Sequence, residues 1–162
     1  MRLSQGVEWA LHCCSVLAAV PPERTLPSAR LAELHEVPPA YLAKHLQALS
    51  AAGIVESVAG PKGGYRLARP AAAITVLDVV LAVEGDEPAF TCTEIRQCGP
   101  GACAPSAYPK PCGVARIMWA AEDAWRASLR EHTVAELLDG ALRDSPPSQL
   151  AAGAAWIQEV LR

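Results

Sequence analysis

Two short amphipathic helices parted by Pro38-Pro39, a glycine-rich hairpin directly behind them and a capped apolar helix beyond form the pattern of a winged helix-turn-helix. The predicted fold class is mainly α with a small β-wing, continued by a cysteine-bearing loop and one long helix. Each element can be justified from its residues in turn.

Ser4 is placed to cap a first helix that runs through Val7, Leu11, Cys14 and Ala18 at helical spacing, and Pro21-Pro22 closes it. On this helix Glu8 and His12 stand four residues apart and share a face beside the apolar stripe. Most such pairs are solvated neighbours, and spacing alone gives them no further role.

Leu26 to Val37 predicts a second helix with Ser28 as its cap. After the Pro-Pro break a third runs from Ala40 to Ser50 and stops near Gly53. Ile54-Val55-Glu56-Ser57-Val58 alternates as a strand, Ala59-Gly60-Pro61-Lys62-Gly63-Gly64 is turn chemistry, and Tyr65-Arg66-Leu67-Ala68 returns as a second strand. In such an arrangement the third helix enters the major groove and the wing reaches backbone or minor groove. Ala40, Tyr41, Lys44 and His45 open the reading helix, and Lys62 and Arg66 belong to the wing. Lys44, Lys62 and Arg66 are expected as phosphate anchors rather than base readers.

Thr75-x-x-Asp78 is a capping box, and Gly85 bounds the helix it starts. Further on, Val114, Ile117, Met118, Ala121, Trp125 and Leu129 mark one face of a long helix, a face suited to a partner helix. Readers of this class bind two half-sites as dimers, so a homodimer on a pseudo-palindromic, double-stranded operator is expected. Thr133-x-x-Glu136 heads another helix, Ser145-Pro-Pro-Ser148 reads as a linker, and a last apolar segment holds Trp156, Ile157 and Val160. The expected division is residues 1–70 for DNA binding, 71–140 for the loop and long helices, and 141–162 as a C-terminal helical extension.

The net charge of −3 alone argues against a nucleic-acid partner, but it is unevenly spread. Residues 1–70 sum to +2 and the remainder to −5, which suits a DNA-reading first half. No apolar run reaches the ~18 residues of a membrane span, and the N-terminus lacks a signal peptide's apolar stretch. A cytoplasmic protein is expected, and there clustered cysteines more often mean metal or redox chemistry than stable disulfides. No phosphate loop, nucleophile elbow or paired acid–base motif is present, so neither an enzyme nor a small-molecule substrate is expected.

Four of the six cysteines fall between Cys92 and Cys112, spaced C-x5-C-x4-C-x8-C in a run rich in Gly and Pro. Such a run has no helical or strand period, and compact domains rarely keep one without a use for it. Structural zinc is disfavoured because C-x2-C knuckles are absent. A metal cluster and a metal-free thiol–disulfide sensor both remain open on spacing alone.

With these residues laid out, the chain resembles the Rrf-type family of winged-helix transcription regulators, which includes IscR, NsrR and RsrR. The likeness spans about residues 1–140. It rests on Tyr41-Leu42, on Gly60-Pro61-Lys62-Gly63-Gly64-Tyr65, and on Ile74 to Asp78 continued by Val83-Glu84-Gly85. Gly6 to Cys14 and Phe90 to Gln97 are similar to the redox-sensing RsrR branch. That resemblance implies a [2Fe–2S] cluster across the dimer interface, with Cys92 and Cys112 from one subunit and Glu8 and His12 from the other. It also marks Trp9 as a switch residue. Cys98, at the separation used by three-cysteine members, stands as an alternate ligand in a set of Cys92, Cys98 and a third cysteine, a place for which Cys112 competes with the slightly early Cys103. Ala59 occupies a wing position where IscR-like members carry arginine, so their DNA preference does not transfer. Two thiolates, one carboxylate and a neutral imidazole carry less negative charge than four thiolates. A potential above the roughly −400 mV of plant-type ferredoxins is therefore expected.

Overall fold

The computed structural model describes residues 3–60 and 63–162. In chain order the elements are α1 (Gln5–Ala18), α2 (Ser28–Leu34), α3 (Pro39–Ala51), β1 (Val55–Val58), β2 (Gly64–Leu67), α4 (Val76–Glu84), α5 (Gly113–Arg130), α6 (Val134–Asp144) and α7 (Pro147–Val160). Helix α1 is the centre of the packing, with α3, α4 and α6 against it. Its Ala10, Cys13, Cys14 and Leu17 lie at helical spacing and are buried.

Helix α3 forms for local reasons. Pro39 sits in its first turn, where the fixed φ is already helical and no amide is lost, and residues 39–51 contain no β-branched side chain. Leu42, Leu46 and Leu49 recur at i, i+4 and i+7 and are wholly buried; burying each is worth about 1.5–3 kcal/mol. The helix ends in a Schellman motif. Gly53 takes φ +66°, its N–H donates to the Ser50 carbonyl, and the Ile54 N–H donates to the Leu49 carbonyl.

β1 and β2 form the wing as an antiparallel hairpin in the register Val55↔Leu67, Glu56↔Arg66, Ser57↔Tyr65 and Val58↔Gly64. Leu26 adds a bridge to Tyr65 through two backbone hydrogen bonds of 2.9 and 2.8 Å. Gly64 is needed for this approach, because a Cβ there would lie 2.3 Å from the Leu26 carbonyl oxygen.

α4 is rich in valine, a weak helix former, yet its capping box is complete. The Thr75 hydroxyl accepts the Asp78 N–H and the Asp78 carboxylate accepts the Thr75 N–H. Burial of Val76, Leu77, Val79 and Val80 supplies the rest. Thr133 and Glu136 cap α6 in the same way, and a backbone bridge between Thr75 and Thr133 ties the two helix starts together.

One expected cap keeps its place but not its bond, and two expected boundaries shift. Ser4 is the N-cap of α1, but its N–H and hydroxyl both donate to Glu84 Oε1, at 2.9 and 2.6 Å, instead of capping locally. Ser28 is the first residue of α2, with Pro27 at the cap. Ser145-Pro-Pro-Ser148 is no linker: Pro146 is the N-cap and Pro147 the first residue of α7. Helix α7 then lays Trp156, Ile157 and Val160 against the main core. Arg30 fastens it by an ion pair to Glu159 at 3.0 Å and by its guanidinium over the Trp156 ring.

Candidate functional site

The reading head presents Ala40, Tyr41 and Lys44 outward from the first turns of α3, with Tyr41 62% exposed. These residues lie opposite the buried leucine face, as a groove-facing surface requires. His45 is different. It is half-buried and turned onto α1, where its ring meets Trp9 edge-on at a centroid distance of 6.0 Å and an interplanar angle of 68°. Arg66 pairs with Glu56 directly across the hairpin and donates to the Pro22 carbonyl at 3.4 Å. Lys62, expected near the wing tip, lies outside the described residues.

The cysteine loop leaves α4 through a segment tethered to α5. The Ala89 N–H donates to Glu122 Oε2 at 3.0 Å, the Trp119 Nε1–H donates to the Phe90 carbonyl at 3.3 Å, and Arg126 pairs with Asp86 and Glu122. The loop itself is organised by Glu94, which adopts a left-handed conformation with φ +49°. Glu94 Oε1 accepts from the Cys92 thiol at 3.7 Å and from the Cys112 backbone N–H at 3.4 Å. Its Oε2 takes two hydrogen bonds from Arg96, at 3.0 and 2.7 Å. Arg96 in turn donates to the Lys110 carbonyl and lies over the Tyr108 ring, whose hydroxyl donates to the Arg96 carbonyl at 2.8 Å.

These contacts set the electrostatics. The Arg96 hydrogen bonds hold the Glu94 carboxyl below the usual carboxylate range. Cys112 is the N-cap of α5, where backbone N–H groups of Ala115 and Val114, with the Arg96 charge behind them, hold its thiol below the ordinary cysteine value. Glu94 opposes that shift without reversing it. Cys98 and Cys103 are exposed along the same loop. Cys13 and Cys14 belong to the core, and burial pushes both thiols up to about 12.

Glu8 and His12 are exposed on one face of α1 and line a groove of about 410 Å³ with Leu3, Val7, Leu11 and Leu137. The His12 ring also lies 5.7 Å from that of His35, whose Nε2 is buried without a hydrogen-bond partner. The structure brings Cys92 and Cys112 together on one carboxylate and sets Glu8 and His12 side by side, but does not gather all four within one chain. Among the described residues, no group of three or more His, Cys, Asp or Glu side chains is placed to hold a metal ion. Glu94 and Arg96 were not singled out by sequence. Their only signals are a place between Cys92 and Cys98 and membership of the Phe90 to Gln97 stretch that carries the resemblance, neither of which assigns them a role.

An outward-facing α3, a paired wing behind it and helices packed around α1 define a winged helix-turn-helix DNA-binding protein. A family model described as Rrf2, iron-dependent transcriptional regulator, matches residues 3–140, and the chain belongs to the Rrf2 family. It is 30% identical over 141 residues to a protein of Bacillus subtilis named as an HTH-type transcriptional regulator, YwgB, covering 86% of this chain and 85% of that one. Among solved structures, T. potens IscR matches with a TM-score of 0.66 at 22% identity over 93% of this chain and 96% of its own. CymR, the global cysteine regulator of B. subtilis, matches at 0.65 and 22% over 86% and 97%. At these identities the structural likeness speaks for the fold. The relatives are regulators, in keeping with a non-enzymatic, DNA-binding protein, and no described helix is long and apolar enough to cross a membrane.

Proposed function

We propose that this chain is a redox-sensing transcriptional regulator, a repressor, carrying a [2Fe–2S] cluster across a homodimer interface. Cys92 and Cys112 of one protomer would hold it with Glu8 and His12 of the partner subunit. In this reading residues 1–70 read DNA, 71–140 carry the loop and dimer helix, and the protein acts in the cytoplasm. The observation that carries it is the convergence of Cys92 and Cys112 on Glu94, with Cys112 placed at the α5 N-terminus where its thiolate is favoured.

The donor set fits the group. Glu8 and His12 are exposed on a shared helix face, as ligands reaching another chain must be, and Val114 and Ile117, 59% and 71% exposed, leave an apolar stretch of α5 for a second copy to cover. When bound, such a cluster supplies a one-electron change of charge beside α1 and the loop. The chain's own residues would convert that change into altered DNA affinity. Arg96 and Glu94 keep the cysteines oriented, and Trp9, next to Glu8, reaches the reading helix at His45. Tyr41 and Ala40 would meet base edges, with Lys44, Lys62 and Arg66 on phosphates.

A second reading draws on the exposure of Cys98 on the same loop. In it Cys98 joins Cys92 and a third cysteine, Cys112 or Cys103, in a cluster that senses nitric oxide or its own loss, or the loop works without metal as a thiol–disulfide sensor. Gel-shift binding with oxidised, reduced and cluster-free protein tests the proposal. Different affinities for oxidised and reduced forms are expected, and equal affinity in all three overturns it.

A further inference from the structure

The N-terminal turn of α1 has a notch at Gly6, and the notch is filled by the reading helix. A Cβ built on Gly6 would fall 2.2 Å from Cε1, 2.5 Å from Nε2 and 2.9 Å from Nδ1 of His45. The same ring meets Trp9 one helical turn further along, in an edge-on contact at a separation typical of paired aromatic rings. His45 is therefore seated between two residues of α1, on the inner flank of α3, while Ala40, Tyr41 and Lys44 face outward.

We infer that His45 is a positioning residue: a flat strut between α1 and α3 that fixes the angle at which the reading helix meets DNA, with Gly6 as its socket and Trp9 as its stop. A rigid seat of this kind matters because base recognition depends on the orientation of a single helix, and small rotations misplace side chains such as Tyr41. Leu42, Leu46 and Leu49 hold α3 onto the core, but their contacts are non-directional. The His45 plane, wedged where no side chain but glycine's leaves room, adds the direction. Helix α1 also carries Glu8 and His12, so on the cluster reading above the strut joins the reading head to the sensing helix. The inference itself does not depend on that reading, because its test measures DNA affinity while iron content is followed separately.

The test compares His45→Ala, His45→Phe, Gly6→Ala and the double variant Gly6→Ala/His45→Ala. Binding is measured on an operator selected from random duplex DNA by the wild-type protein, and on an unrelated duplex, across salt concentrations. A strut predicts that His45→Ala weakens operator binding about tenfold, within the coupling range of contacting residues. Binding to the unrelated duplex and the salt slope stay unchanged. His45→Phe, which keeps the flat shape without the nitrogens, retains operator affinity. Gly6→Ala displaces the ring and loses affinity as His45→Ala does, and the double variant is no worse than either alone. A His45→Phe protein as weak as His45→Ala would overturn the inference, as would a salt slope reduced by about one, the mark of a lost phosphate contact. If Gly6→Ala does not fold, the His45 pair alone decides it.

Discussion

The Glu94 carboxylate reaches across eighteen residues of loop to accept the backbone N–H of Cys112 at 3.4 Å. As a thiol Cys92 donates to the same oxygen at 3.7 Å, a bond it would give up as a ligating thiolate, whereas the Cys112 backbone contact would persist. Arg96 holds that carboxylate in place from its other oxygen. Supporting groups of this kind commonly matter to a metal site nearly as much as its ligands. If the loop holds the proposed cluster, Glu94→Ala is expected to lower cluster affinity about 10–100-fold through the lost Cys112 and Arg96 contacts. Iron retained per protomer during anaerobic dialysis against a chelator measures it, and wild-type retention would count against the role given to Glu94.

The thiols should divide sharply in reactivity. Cys13 and Cys14 are wholly buried with values near 12, so neither should react with iodoacetamide in folded protein at neutral pH. Cys98 and Cys103 are exposed, and Cys112 is held toward its thiolate, so these should alkylate in metal-free protein. Peptide mass mapping reads the pattern. Early modification of Cys13 or Cys14 would contradict their place in the core.

Thr75→Ala removes the hydroxyl from a complete capping box and should cost about 0.5–2 kcal/mol of stability. Asp78→Ala should cost at least as much, because Asp78 also pairs with Arg69 at 3.1 Å. Urea denaturation of both variants checks the ranking.

Lys44 is exposed on the outward face of α3. Lys44→Ala should weaken binding to all duplexes by a similar factor and reduce the salt slope by about one. A loss confined to one operator would instead make Lys44 a base reader.

How much of this was legible in sequence depended on the reach of each interaction. The capping boxes at Thr75 and Thr133 close over three residues, and both stood as read. The α3 leucines and Gly53 likewise signal through local period and turn chemistry. Ser4 gave the right position but the wrong partner, because Glu84, eighty residues on, takes its hydroxyl. Pro146-Pro147 looked like a linker because proline breaks helices, yet at a first turn it starts one. Glu94 had no local signal: its role comes from a left-handed backbone and a partner at Cys112. The fit of His45 into Gly6 is likewise a tertiary contact that neither residue announces.

In the proposed function a cluster is shared between the loop of one protomer and α1 of its partner. This sharing is tested most directly by visible absorbance and iron quantitation on anaerobically purified protein, repeated for Glu8→Ala, His12→Ala, Cys98→Ala and Cys112→Ala. A coloured wild-type protein and a coloured Cys98→Ala protein are expected, with the cluster lost or altered in the other three. A colourless, iron-free wild-type protein would contradict the proposal, and so would cluster loss on Cys98→Ala with Glu8→Ala and His12→Ala unaffected.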